Sequence, residues 1–261
     1  MADELLFEVA DKIATITLNR PERRNAFTQE MFDAWIAALE ECQARDDINV
    51  VILTGAGTAF CSGGDVKAMG ERELTPLEEK DYLWKHLNRL PLTMEHMDKP
   101  VIAAVNGAAA GAGMDAALMC DIRFAGESAR FSEAYIKIGL LSGEGATWFL
   151  PRLVGLGKAF EMLWTGDWVD AEEAKNIGLV NDVFPDDELQ DKVREFAARI
   201  ANGPSISVRM LKRMVYQGQR MDMRTHLDMT SSHMSIVRKT KDYKNAVKAF
   251  ANKEKPVFKG E

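Results

Sequence analysis

Two unbroken apolar runs, at residues 50–53 and 101–105, each pass directly into a segment almost bare of side chains, and that pairing restricts the fold more than any other feature of the sequence. A strand that is apolar at every position has both faces buried, which is the environment of a parallel sheet covered by helices. The segments that follow, 55–64 and 106–113, are rich in glycine, alanine and serine. Backbone there can come close to another backbone or to a ligand. At 13–18 the pattern differs: Ala14, Ile16 and Leu18 alternate with Thr15 and Thr17, the period of a half-buried strand. After the Arg20-Pro21 turn, Thr28 is placed to cap a helix that carries Met31, Phe32, Trp35, Ile36 and Leu39 on one face. A short apolar helix is expected at 114–119 and a strand at 121–125. Strands and helices therefore alternate through the first two-thirds of the chain, the order of an α/β architecture.

Beyond Gly155 the character changes to helices with explicit ends. Asp170 followed by Glu173 forms an acidic version of a capping box, and Gly178 is placed to stop that helix. A strand-like stretch at 180–184 follows, and after Pro185 the helical pattern runs to the end, broken at Gly203-Pro204. The expected division is a core over 1–195 and a C-terminal helical region over 196–261. The apolar faces of that region, with Met210, Leu211, Met214 and Val215, are expected to cover the core or a neighbouring subunit.

Composition narrows the function classes. Of 261 residues, 46% are hydrophobic and 28% charged, with a formal net charge of −7. That balance suits a globular domain with a sizeable core and argues against a nucleic-acid binder, which needs a basic face. A small anionic ligand needs only local cations, and Arg23, Arg24 and Lys67 flank the small-residue loops. Cys42, Cys61 and Cys120 form no Cys-x-x-Cys pair and are too scattered for a disulfide framework, so a reducing compartment is expected. His86, His96, His226 and His233 have no metal-ligand spacing, and no metal site is expected. No apolar run approaches the roughly 20 residues that cross a bilayer, and the first residues lack a basic targeting segment. A cytoplasmic protein without membrane association is the expectation.

The chemistry is concentrated in the two small-residue loops. One contains Phe60-Cys61-Ser62-Gly63-Gly64-Asp65 and the other runs from Asn106-Gly107 through Gly111-Ala112-Gly113 to Met114-Asp115. Each follows a buried strand and leads toward a helix, where the first N–H groups have no internal acceptor and can point at an anion or a polarised oxygen. Either loop alone is more often a tight turn. Two such amides converging would form an oxyanion hole, the largest single catalytic contribution in acyl-thioester chemistry.

Over nearly its whole length the chain resembles the crotonase (enoyl-CoA hydratase/isomerase) family. The resemblance is carried by Asn19-Arg20-Pro21 with Asn25-Ala26-Phe27, by the loop at 60–67, by Lys99-Pro100 and the strand leading to Asn106-Gly107, by Cys120-Asp121-Ile122-Arg123, by Leu150-Pro151-Arg152-Leu153-Val154-Gly155, by Thr165-Gly166, and by Gly178-Leu179-Val180. It implies a spiral of repeated ββα units, a C-terminal helical region that mediates trimer formation, and a homo-trimer or a hexamer made of two trimers. It also implies an acyl-CoA thioester as substrate, with coenzyme A part of the substrate and no separate cofactor. Gly64 and Ala112 fall where the family's oxyanion-hole amides lie, and Arg24, Ala26, Ser62, Gly63, Asp65, Val66 and Lys67 fall where it lines the CoA channel.

The chain departs from the family in its acids. Where hydratases of this type carry two glutamates, it has Asp115 and Tyr135. Asp115 keeps the charge on a shorter arm, and a tyrosine with an ordinary pKa near 10 donates a hydrogen bond but is a poor general base. A further acid, Glu144, stands in the glycine-flanked stretch Ser142-Gly143-Glu144-Gly145 and is expected to pair with Asp115 or to act alone. Taken by residue type only, Asp115 is a first-turn acid favoured by the helix dipole, Glu144 a solvated loop charge and Tyr135 a substrate-lining or core residue. The expected activity is hydration of an enoyl-CoA, a carbon-oxygen lyase reaction in which Asp115 and Glu144 handle protons. Movement of a β,γ double bond to α,β comes next, followed by thioester hydrolysis or silent acyl-CoA binding.

Overall fold

A computed structural model describes residues 4–64 and 74–261. Among these residues ten strands form two sheets. The larger holds β1 (Leu5–Ala10), β2 (Ile13–Leu18), β3 (Val50–Gly55), β5 (Val101–Val105), β7 (Ile122–Gly126) and β10 (Asp182–Phe184) in the order β1-β2-β3-β5-β7-β10. The smaller holds β4 (Ala59–Cys61), β6 (Ala108–Ala110), β8 (Arg130–Ser132) and β9 (Val169–Asp170) in that order. Only β1 with β2 and β8 with β9 pair antiparallel; the other ladders are parallel.

The topology explains the two small-residue segments. Each strand of the central parallel ladder, β3 and then β5, hands the chain after a few residues to a strand of the second sheet, β4 and then β6. The segments at 55–64 and 106–113 are therefore not loops throughout. Each contains a three-residue strand that the period-two test is too short to detect. The third repeat, β7 into β8, follows the same route.

Helices are labelled in chain order. α1 (Gln29–Ala44) is capped by Thr28, whose hydroxyl accepts from the Met31 amide at 3.1 Å, and it buries Met31, Phe32, Trp35, Ile36, Leu39 and Cys42, the expected face. α2 (Pro76–Tyr82), a turn of π-helix (Leu83–Leu87) and α3 (Arg89–His96) follow, none of them anticipated from the sequence. α4 spans Ala112–Leu118, so it begins two residues earlier than expected. α5 (Ala146–Thr165) and α6 (Ala171–Asn176) complete the core, and the Asp170 cap accepts from the Glu173 amide at 2.8 Å.

α7 (Leu189–Ala201) lays Leu189, Val193, Ala197 and Ala201 against Ile13, Val50, Ile52, Ile102, Ala104 and Phe124 of the large sheet. The expected division at 195/196 falls inside this helix. α8 (Ser205–Gly218), α9 (Met223–Val237) and α10 (Lys241–Ala251) complete the chain. Polar contacts tie α8 to the core, among them Arg209 to Asp98 at 2.7 Å, Lys212 to Asp121 at 2.7 Å, and the Tyr216 hydroxyl donating to Asp121 at 2.8 Å. Those contacts place Tyr216 beside the loops that carry the acids. No helix among the described residues is long and apolar enough to cross a membrane.

Candidate active site

The site is assembled from the ends of β4 and β6. These strands lie side by side, with Ala59 opposite Ala108 and Cys61 opposite Ala109, so the chain segments leaving them emerge together. They approach so closely that side chains are excluded. A Cβ on Gly63 would stand 2.8 Å from the Ala110 carbonyl oxygen and 3.4 Å from the Ala112 nitrogen, and one on Gly113 would stand 2.1 Å from the Cys61 carbonyl oxygen. The expected oxyanion segments are therefore neighbours. Ala112 is the first residue of α4, where an amide has no intrahelical acceptor. At Gly64 the chain makes a parallel bridge to Phe27, whose amide donates to the Gly63 carbonyl at 2.8 Å.

The outer loop is held by Asn25. This buried residue sits at φ +55°, a conformation that asparagine tolerates better than most side chains. Its side-chain amide donates to the carbonyls of Ala56, Ala59 and Phe60 at 2.9, 2.8 and 3.1 Å, and its oxygen accepts from the Arg20 amide at 2.9 Å. The Ser62 amide donates to the Arg24 carbonyl at 2.9 Å. The buried Cys61 thiol donates to the Asn25 carbonyl at 3.0 Å, and burial pushes its pKa up to about 12, which removes it as a nucleophile. Arg24 and Ser62 are exposed at the mouth of this arrangement, and Ala26 is half-buried with its carbonyl accepting from the Arg20 guanidinium at 2.6 Å. Asp65, Val66 and Lys67 lie outside the described residues.

The acids converge one turn along α4. Asp115 follows Ala112 by three residues and is fully buried, and Glu144 is 4% exposed. Glu144 is thus not the solvated loop charge that its glycine neighbours suggest. The Tyr135 hydroxyl lies 2.8 Å from an Asp115 carboxylate oxygen and is also a hydrogen-bond partner of Glu144. Its ring passes about 3.6 Å from the position of a Cβ on Gly111, beside the Ala112 amide. Ser142 donates to Asp115 at 3.1 Å, and the Glu144 amide donates to it at 3.3 Å. Tyr135 therefore ties the two acids into one cluster.

Burial first, and the charge of Glu144 second, push the Asp115 pKa up to about 8. Burial also raises Glu144, but its hydrogen bonds with Tyr135 and Asp115 oppose that rise. The hydrogen bonds that oppose the rise at Glu144 make Asp115 the stronger proton holder of the two. Burial, then the Asp115 and Glu144 charges, push the Tyr135 phenol well above its usual range, so it acts only as a neutral hydroxyl.

A third acid escaped sequence reasoning. Glu133 is 1% exposed, and neither of its carboxyl oxygens has a hydrogen-bond partner among the described residues. Burial, followed by the charges of Asp115 and Glu144, raises its pKa well above the carboxylate norm. The one sequence cue was a charged residue directly after the β8 strand, a position where solvent exposure is the ordinary expectation. Among the described residues, no group of three or more His, Cys, Asp or Glu side chains is arranged to hold a metal ion.

Fold and site together define an α/β protein in which two adjoining small-residue backbone segments stand beside a buried, hydrogen-bonded acid cluster. The chain belongs to the enoyl-CoA hydratase/isomerase family, whose model matches residues 8–261. It is 34% identical to the 1,2-epoxyphenylacetyl-CoA isomerase of Escherichia coli over the full length of both chains. It is also 34% identical to the short-chain-enoyl-CoA hydratase of Clostridium acetobutylicum, covering 97% of this chain and 96% of that one. Among solved structures, the enoyl-CoA hydratase of Bacillus anthracis superposes with a TM-score of 0.93 at 33% identity, covering 99% of this chain and 100% of that one.

Proposed function

We propose that this protein is an enoyl-CoA hydratase, adding water across the α,β double bond of an acyl-CoA thioester. The carrying observation is the Tyr135 bridge between two buried carboxyls, because hydration needs one group to take a proton from water and another to give one to carbon. The thioester carbonyl oxygen accepts hydrogen bonds from the Gly64 and Ala112 amides. Ionised Glu144 takes a proton from water as its oxygen bonds to Cβ. The π electrons move toward Cα and the thioester oxygen, and the two amides stabilise the resulting enolate. Protonated Asp115 then delivers its proton to Cα. Proton transfer from Glu144 back to Asp115, directly or through the Tyr135 hydroxyl, restores the starting state.

Arg24, with the expected channel residues Ser62, Asp65, Val66 and Lys67, supplies contacts for the CoA moiety, the cation meeting phosphate. For assembly we propose a trimer. Large apolar side chains stand exposed on the C-terminal helices, among them Leu227 at 54%, Met223 at 72% and Phe250 at 86%, apolar surface that a neighbouring copy would cover.

Isomerisation is the second reading. A pair that shares one proton can also remove it at Cα and return it at Cγ, and one relative is named as an isomerase. The test uses the conjugated-thioester absorbance. Its loss in water from an α,β-enoyl-CoA supports hydration. Its gain from a β,γ-enoyl-CoA, with no loss from the α,β substrate, replaces hydration by isomerisation, and release of free thiol replaces both by hydrolysis.

A further inference from the structure

Glu144 forms part of the wall of a cavity of about 500 Å³ whose lining is rich in aromatic side chains. Four rings reach it: Trp84 from the π-helical turn, Trp148 and Phe149 from the first turn of α5, and Tyr216 from α8. Trp84 and Trp148 are 61% and 43% exposed, so two of the four tryptophans that present apolar surface to water, Trp164 and Trp168 being the others, line this one cavity. Indoles left this way recover their burial when a ligand covers them.

The rings are also held in place. The Arg152 guanidinium lies 3.3 Å from the centre of the Trp148 ring and donates to the Trp148 carbonyl at 2.6 Å, with Arg220 at 5.4 Å from the same ring. The Tyr216 hydroxyl is spent on Asp121. Arg220, the one cation lining the cavity among the described residues, is paired with Glu95, another lining residue, at 2.7 Å. An acyl group ending in a carboxylate would meet Glu144 and a spent arginine. A four-carbon acyl group would leave most of a space of about 500 Å³ unfilled.

We infer that the acyl group this site accepts is uncharged and bears an arene, a flat ring joined to the enoyl carbons that stacks between Trp84 and Trp148. This rests on the acyl-CoA reading of the site and adds the substrate class to it. The wall supplies ring faces and edges, which favour another ring over an alkyl chain of equal area.

The test compares two saturated, unreactive thioesters by calorimetry, 3-phenylpropanoyl-CoA and butanoyl-CoA, and in parallel the turnover of cinnamoyl-CoA and crotonoyl-CoA. The phenyl thioester is expected to bind about tenfold or more tightly than the butanoyl thioester. Trp84→Ala and Trp148→Ala should each shrink that ratio to about threefold or less while leaving butanoyl-CoA binding within about twofold. Trp84, at 61%, is the more exposed of the two and its replacement removes less buried surface, so the comparison survives if Trp148→Ala does not fold. Equal binding of the two thioesters, or an aryl preference unchanged in Trp84→Ala, overturns the inference. If aryl preference is found with no water addition to cinnamoyl-CoA, hydration falls and the substrate class stands. If crotonoyl-CoA is hydrated with no aryl preference, the substrate class falls and hydration stands.

Discussion

Tyr135 carries the most specific consequence at the scale of single residues. Its one hydroxyl proton can be donated to either Asp115 or Glu144, and that bond favours the ionised form of the carboxyl that receives it and lowers its pKa. Tyr135→Phe removes that donor, so the limb of the kcat profile that rises as the base ionises should move to higher pH, with KM little changed. An unmoved limb would detach Tyr135 from the acid pair. Asp115→Asn and Glu144→Gln should each lower kcat by about 10² to 10⁴, the range for loss of a general acid or base, while affinity for a saturated acyl-CoA is kept. Rates within threefold of the parent in both variants would remove these acids from the chemistry. Much of what makes the chain recognisable works on backbone instead. Asn25 holds three carbonyls, Asn106 accepts from the Gly55 amide at 3.1 Å, Asp121 accepts from the Val101 amide at 2.7 Å, and Arg123 donates to the Leu179 carbonyl at 2.9 Å. These residues are legible in sequence because buried backbone groups need fixed partners, yet none of them touches the acid cluster.

At the scale of elements, the distance between β4 and β6 governs the candidate oxyanion hole. Gly63 is at φ +94°, and an added methyl would lie 2.8 Å from the Ala110 carbonyl. Gly63→Ala therefore combines a left-handed backbone with a clash against main chain that cannot rotate away. The segment must shift relative to Ala112, and kcat is expected to fall by about 10² or more while the melting temperature drops by only a few degrees. A fully active, correctly folded Gly63→Ala protein would show that the spacing of these segments does not matter to catalysis. The same elements mark where sequence reading stopped. The three-residue strands β4, β6 and β8 have no period to detect, whereas α1 announced its cap and its buried face. The helices from Pro76 to His96 carry exposed aromatics and charges on short turns, so no single apolar stripe marked them.

For the whole molecule, the buried acids link stability to pH. Asp115, Glu133 and Glu144 all have folded pKa values raised above those of an unfolded chain, mainly by burial. Such groups stabilise fully below the unfolded pKa, near 4, and that contribution is lost as pH rises through the folded value, about 8 for Asp115. The free energy of unfolding should therefore fall from pH 5.5 to pH 8.5 by an amount on the order of a few kcal/mol attributable to this cluster. Glu133→Gln keeps the shape and cannot ionise, so it should flatten the decline and be more stable than the parent at the alkaline end, as read by urea unfolding. A parallel pair of curves would mean that Glu133 binds no extra proton in the folded state. Assembly is tested separately. Sedimentation at micromolar concentration should give the mass of three 29.1 kDa chains or of a multiple of three, and a monomer would end the trimer proposal.

The sequence by itself determined the α/β class, the two strand-to-small-residue junctions, the capped helices and the family, because each depends on local periodicity, on glycine and proline chemistry or on an ordered run of motifs. It also named Asp115, Glu144 and Tyr135 and left Glu144 either paired with Asp115 or acting alone. Only the tertiary structure decided that 20 residues of separation between Asp115 and Tyr135 close to one hydrogen bond, that Glu144 is buried instead of solvated, and that Glu133 joins them without a partner. The reason is physical. Burial and charge proximity set the proton affinity of a carboxyl, and both are produced by the packing of α4, α5 and the turn between β8 and α5 against one another, which no local stretch of sequence contains.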